Sequence, residues 1–168
     1  MKDAESERLK YRPLNEADIS LWMKFLDDPI STKYFPKLPL SVEERAQSWI
    51  KSQLLRYNEG SYGMTAIIRK KDNTFVGQCG LLKQEVDGIP EVEVGYHLFR
   101  QFCGMGYATE ASRHFKEYAF KQNLADSIIS IIHEHNLPSQ AVAKRNGMSV
   151  DKRTVWKDMN VIIFRAFA

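Results

Sequence analysis

The sequence predicts a mixed α/β protein: one largely antiparallel sheet of about seven strands, four helices and a single internal crossover. Three observations carry this expectation. The apolar residues recur at strand period, then twice at helical period, then three times at strand period, before helix and strand alternate and two strands close the chain. The run Ser127 to Ile132 is almost continuously β-branched, which suits a strand buried on both faces and paired in parallel after a helical crossover. Pro29, Pro36 and Pro39, the polar turn at residues 70–73 and Asp87-Gly88 fall between these periodic segments.

The elements follow in order. Arg8 to Arg12 alternates weakly and stops at Pro13, a first strand. Asn15 stands at an N-cap position with Asp18 three residues on, and Ile19, Trp22, Met23 and Leu26 follow at helical spacing. Pro29, Pro36 and Pro39 make a loop, after which Ser41-Val42-Glu43-Glu44 is a capping box opening a second helix through Ala46, Trp49, Ile50, Leu54 and Tyr57. Tyr62 to Arg69 and Thr74 to Leu82 read as a hairpin about the polar turn at residues 70–73, and Asp87-Gly88 turns the chain into a third strand over Glu91 to Phe99. Helical spacing returns from Tyr107 to Gln122, at Ala108, Ala111, Phe115, Tyr118 and Ala119. A short helix spans Asn136 to Asn146, with Pro138 in its first turn and Gly147 at its end, and strands cover Ser149 to Trp156 and Met159 to Phe167.

Composition narrows the function classes. A chain of 168 residues is long enough for one domain, taken as 1–168, whose core needs no disulfide or metal staple. Hydrophobic residues are 43% and charged ones 27%, an ordinary globular mixture. The 24 Lys and Arg are interspersed among 21 Asp and Glu for a net charge of +3, and no basic stripe is interleaved with aromatics, so no nucleic-acid partner is expected. Cys79 and Cys103 lie far apart, which speaks for a reducing compartment. No segment approaches a membrane span and the first ten residues are charged, so the expected location is cytoplasmic, without membrane partners.

Chemistry is expected at the crossover. Gln101-Phe102-Cys103-Gly104-Met105-Gly106-Tyr107-Ala108 lies between a strand end and a helix start. Two glycines let the backbone approach a ligand, and the first amides of the helix are unpaired donors at its positive end, so an anion such as a pyrophosphate fits there. An ordinary glycine-rich turn reads the same way in isolation. Thr109 stands where a dinucleotide fingerprint has its third glycine, and no Gly-Lys-Ser/Thr follows, which speaks against Rossmann and P-loop sites.

Here the sequence resembles the GNAT acetyltransferases, in the branch of the ribosomal-protein N-terminal acetyltransferases. Gln101-x-x-Gly104-x-Gly106 is similar to that family's pyrophosphate loop. Glu93-Val94-Gly95-Tyr96-His97-Leu98 resembles its preceding strand, and Gly106-Tyr107-Ala108-Thr109-Glu110-Ala111 its helix opening. Asn136-x-x-Ser139-x-x-Val142-Ala143-x-Arg145-x-Gly147-Met148 resembles the last helix, and Glu7-Arg8-Leu9-x-x-Arg12-Pro13-Leu14 the first strand.

The resemblance implies direct acetyl transfer from acetyl-CoA to an amine, with no metal. It implies a splayed central parallel pair with pantetheine between the strands, held by main chain of Tyr96, Leu98 and Phe99. Backbone amides of Cys103, Gly104, Met105, Gly106, Tyr107 and Ala108 would hold the pyrophosphate, with Asn136 and Ser139 also at the cofactor. Glu93 is the implied base, through a water, because the attacking amine must be neutral. Ser139 is the implied donor to the departing thiolate. Many family members carry a tyrosine acid where Ala143 stands here, a departure that leaves the acid open.

Competing readings bear on the same residues. Glu110, in a first helical turn, reads as a dipole or capping partner more readily than as a base. Ser139 also fits as a plain helix-cap hydroxyl. His133-Glu134-His135 has a metal-like spacing but no third ligand, and ordinary polar surface or groove lining is the plainer reading. Cys103 is expected to give only its backbone, with a buried or half-buried thiol. The acceptor is expected to enter beside the two N-terminal helices and the last hairpin, among Trp22, Tyr34, Phe35, Trp49 and Trp156. No strongly acidic patch is evident, so the expected acceptor is a singly charged α-amine, such as a peptide N-terminus. A polyamine or aminoglycoside is the alternative, as is a non-catalytic acyl-CoA sensor, and the assembly is expected to be a monomer or homodimer.

Overall fold

The computed structural model describes residues 4–168. Among these residues eight strands form one sheet, in the order β1-β2-β3-β4-β5-β6-β8-β7. They are β1 (Ala4–Glu5), β2 (Leu9–Pro13), β3 (Met64–Arg69), β4 (Thr74–Val86), β5 (Ile89–Leu98), β6 (Ser127–His133), β7 (Ser149–Trp156) and β8 (Met159–Phe167). The helices are α1 (Ile19–Asp27), α2 (Val42–Asn58), α3 (Tyr107–Lys121) and α4 (Leu137–Arg145). The strand beyond the expected seven is β1, whose two residues are too few to show any period. Among the described residues no helix is long and apolar enough to cross a membrane.

Local chemistry places these elements. Asn15 and Asp18 cap reciprocally a single 3-10 turn that runs into α1, and Ser41 and Glu44 do the same for α2. Asp87 and Gly88 both have positive φ, 53° and 77°, as a two-residue hairpin turn between right-twisted strands demands. That turn pairs Val86 with Ile89, and the register then runs unbroken to Gly77 opposite Leu98.

Each face of the sheet is covered. Leu9, Ile67, Val76, Val94, Ile128 and Phe164 pack beneath α3, through Ala111, Phe115 and Ala119. On the other face α1 and α2 lie over Leu14, Met64, Ala66 and Leu82, with Trp22, Phe25, Leu26 and Ala46 forming the seam between the two helices. Among the described residues the sole parallel contact, β5 with β6, is a single register pair, Glu93 opposite Ile129. Beyond it the two strands diverge.

Candidate active site

Two side chains finish the ladder where β5 and β6 part. The Glu93 carboxylate accepts from the Ile131 amide at 3.4 Å, and the Ser130 hydroxyl donates to the Val94 carbonyl at 2.9 Å. Each strand thus satisfies a backbone group of the other with a side chain, as buried polar groups require. Past that point nothing of β6 pairs with β5. Alternation along β5 decides which groups face the gap. Phe99 donates its N–H to the Val76 carbonyl on the β4 side and its carbonyl accepts from Phe102, so the expectation that Phe99 serves a ligand through its main chain is corrected. The N–H and C=O of Tyr96 and Leu98 point the other way, into the gap, where an extended ligand can continue the sheet.

The same alternation sends Val94, Tyr96 and Leu98 to the α3 face and Glu93, Gly95 and His97 to the face under α1 and α2. Tyr96 spans the gap on its side, its hydroxyl donating to the Ser139 carbonyl at 2.9 Å. Burial raises its pKa, so it stays a neutral donor. Glu93 is buried, 8% exposed, and its other oxygen accepts from Gln84 at 2.7 Å. Burial raises its pKa above the usual carboxylate range, against the lowering effect of these two hydrogen bonds.

At the head of α3, Gly104 (φ 80°) and Gly106 (φ 82°) are both left-handed. A side chain on Gly104 would meet nothing within 4 Å, so its requirement is backbone shape alone. This turn leads into α3, whose first amides lack helical partners. Cys103 is exposed as a residue, while its thiol lies 3.7 Å from the Phe99 carbonyl, where partial burial of the sulfur pushes its pKa up. At α4, Asn136 is the cap, its Oδ1 accepting from the Ser139 amide at 3.3 Å. The Ser139 hydroxyl is therefore not the cap and points to no described partner.

The model of the acetyltransferase (GNAT) domain matches residues 8–149. The chain belongs to the GNAT acetyltransferases. It is 28% identical over 160 residues to the uncharacterised N-acetyltransferase p20 of Bacillus licheniformis, covering 94% of this chain and 87% of that one. An acetyltransferase from Agrobacterium tumefaciens superposes with a TM-score of 0.84 at 26% identity, over 100% of this chain and 95% of its own. RimL, a ribosomal L7/L12 alpha-N-protein acetyltransferase in complex with coenzyme A, shares the fold with a TM-score of 0.75 at 15% identity, over 96% and 95% of the two chains.

Within this GNAT site, several residues hold places that their spacing did not reveal. Arg8 ties the second strand to the glycine loop: its guanidinium donates to Glu110 at 2.7 Å and to the Met105 carbonyl at 3.0 Å. Glu110 also accepts from the Ser6 hydroxyl at 2.6 Å and the Arg8 amide at 2.7 Å. Burial would raise the Glu110 pKa, but these donors outweigh it and hold the carboxyl low. Arg8, Arg113 and Arg145 edge a cleft of about 400 Å³ beside Gly106. Glu110 braces Ser6 and Arg8 against the head of α3. Glu110→Ala is expected to cost about 1–2 kcal/mol of stability, as charge-assisted bonds at a half-exposed site do. It should leave kcat at saturating acetyl-CoA within about threefold of wild type, since no proton passes through it. A hundredfold fall in kcat would overturn the assignment.

The acceptor-side aromatics divide. Trp22 is fully buried in the helix seam, and the half-buried Trp156 donates to the Glu85 carbonyl at 3.1 Å. Tyr34 and Phe35, adjacent on the α1–α2 loop, straddle the gap: Phe35 lies 4.9 Å from the His97 ring on β5, Tyr34 4.8 Å from the His133 ring on β6. His133 Nδ1 accepts from the His135 amide and the Tyr34 hydroxyl donates to the His135 carbonyl. The histidine pair thus shapes the end of β6 where this loop docks.

Proposed function

We propose that the protein moves the acetyl group of acetyl-CoA to a primary amine, specifically an N-terminal α-amine of a peptide or protein. The observation that carries the reading is the gap between β5 and β6, with the left-handed Gly104 and Gly106 turn and the head of α3 at its end. Such a gap takes the extended amide-bearing arm of the cofactor as an added strand on Tyr96 and Leu98, while the turn and helix amides take its pyrophosphate. The positive charge of Arg8, Arg113 and Arg145 at the same end supports the anionic moiety lying there. RimL, solved with coenzyme A, supports the choice of donor and, by its named action on a protein α-amine, the acceptor class.

In this reading the amine nitrogen attacks the thioester carbon. A C–N bond forms, and the C–S bond breaks with its electron pair leaving on sulfur. The proton shed by nitrogen passes to Glu93 through a water and on to solvent, and Ser139 donates a hydrogen bond to the thiolate, which takes one proton from solvent and leaves as CoA thiol, so that no net proton is gained or lost. The Tyr96 or Leu98 amide is placed to stabilise the oxyanion.

The test is release of CoA thiol from acetyl-CoA with short peptides of varied first residue, spermidine and kanamycin-like amines at equal concentration. Peptides are expected to turn over at least tenfold faster, about 1.4 kcal/mol in transition-state stabilisation. Preference for the polycations by that factor would overturn the α-amine reading. Binding of acetyl-CoA without turnover of any amine would overturn the transferase reading in favour of a sensor.

A further inference from the structure

A polar pair lies inside an aromatic shell on the face that α1 and α2 cover. Gln78 of β4 and His97 of β5 stand directly opposite in the ladder, so their side chains leave the same face with Cβ atoms about 5 Å apart. Around the imidazole lie Phe35 at 4.9 Å, Trp49 at 5.6 Å, and Trp22 and Phe25 each at 6.1 Å between ring centres. Burial pushes His97 down to about 4, and no charge contributes to that shift. Near neutral pH it is therefore an uncharged ring with a lone pair to offer a donor.

Gln78 is fully buried, and its Oε1 accepts from Trp49 Nε1 at 2.8 Å. That bond turns its Nε2 elsewhere, and among the described residues Gln78 Nε2 has no partner. Nor has the Nε1 of the buried Trp22, whose ring centre lies 6.1 Å from that of the same imidazole. An unpaired buried donor costs about 1–3 kcal/mol, so two such donors beside one imidazole point to an oxygen that they bind. The one wall of this shell supplied by a loop is Phe35, half-buried, which makes it the side of entry.

We propose that Gln78 and His97 read the acceptor: the attacking amine donates to His97, and the carbonyl oxygen next to its α-carbon accepts from Gln78 Nε2 and Trp22 Nε1. The pair thereby demands an α-amino carbonyl unit, and an alkyl amine or polyamine leaves both buried donors unpaired. This rests on the acetyl-transfer reading and adds to it the residues that set the acceptor class.

The experiment measures kcat/KM for alaninamide and for isopropylamine, which keeps the amine and methyl but lacks the carbonyl, in wild type, Gln78→Met, Trp22→Phe and His97→Gln. Comparing the ratio of the two substrates between variant and wild type cancels their difference in basicity. Gln78→Met and Trp22→Phe are each expected to lower the alaninamide to isopropylamine ratio about tenfold, with KM for acetyl-CoA unchanged. His97→Gln, which touches only the amine, is expected to lower both rates together and keep the ratio within about twofold. A mild loss of packing would not alter the ratio, and Trp22→Phe keeps a ring in the seam should Gln78→Met fold poorly. An unchanged ratio in both donor variants overturns the proposal alone. Failure of wild type to acetylate either amine while it still binds acetyl-CoA overturns it together with the transferase reading.

Discussion

Gly104→Val, alone or with Gly106→Val, is expected to erase the rise in melting temperature that acetyl-CoA gives the wild-type protein. A ligand at a hundred times its Kd stabilises a native state by about 2.7 kcal/mol. For a domain of this size that is roughly 5–10 °C. The anion site is made of backbone, so only backbone shape can be attacked. Gly104 sits at φ 80° with open space around the missing side chain, and a β-branched residue there costs about 1–2 kcal/mol of local strain. The loop relieves that strain by leaving the left-handed region, and its amides then no longer converge. Gly106 differs, because a Cβ there meets Arg8 Nη2 at 3.2 Å and pushes the brace between Arg8 and the Met105 carbonyl. The variants should fold, since neither change touches the core. Differential scanning fluorimetry with and without acetyl-CoA reads the result, and a shift that survives in the double variant places the pyrophosphate elsewhere.

Caps and turns were legible in the sequence at Asn15, Ser41 and Asp87-Gly88, which act on neighbours within four residues, because a local pattern states a local interaction. The glycine loop was legible for the same reason. The cap of α4 was not, since Ser139 fitted the part that Asn136 takes. What sequence spacing missed are contacts that depend on which strands end up adjacent. The Arg8 brace on Glu110 joins residues 102 apart, and the Gln78, His97 and Trp49 cluster draws on three elements. The Phe99 correction was within reach. A two-residue Asp87-Gly88 turn fixes Val86 against Ile89, and counting outward puts Phe99 opposite Val76, which assigns its N–H to β4. The place of β8 between β6 and β7 was not within reach, because local periodicity is blind to strand order.

The Glu93→Gln variant is expected to lose about 10²–10⁴-fold in kcat/KM, the usual contribution of a positioned base, while keeping the acetyl-CoA thermal shift. The substitution is close to isosteric, and one amide oxygen can still accept from Gln84. The pH profile separates a base from a fastener of the two strands. Activity needs Glu93 ionised and the amine neutral. For an acceptor whose amine has a pKa near 8, log kcat/KM of wild type should rise with slope one below that value. It should steepen to slope two below the pKa of Glu93, which burial places above the ordinary carboxylate value of about 4.3. The sign follows from the direction of the shift: a raised pKa moves the loss of the ionised base to higher pH, nearer neutrality. The glutamine variant should keep only the amine's slope. If instead it loses the thermal shift, Glu93 acts chiefly by accepting from the Ile131 amide and holding the mouth of the gap. If it keeps both the slope of two and activity within tenfold of wild type, the proton leaves by another route.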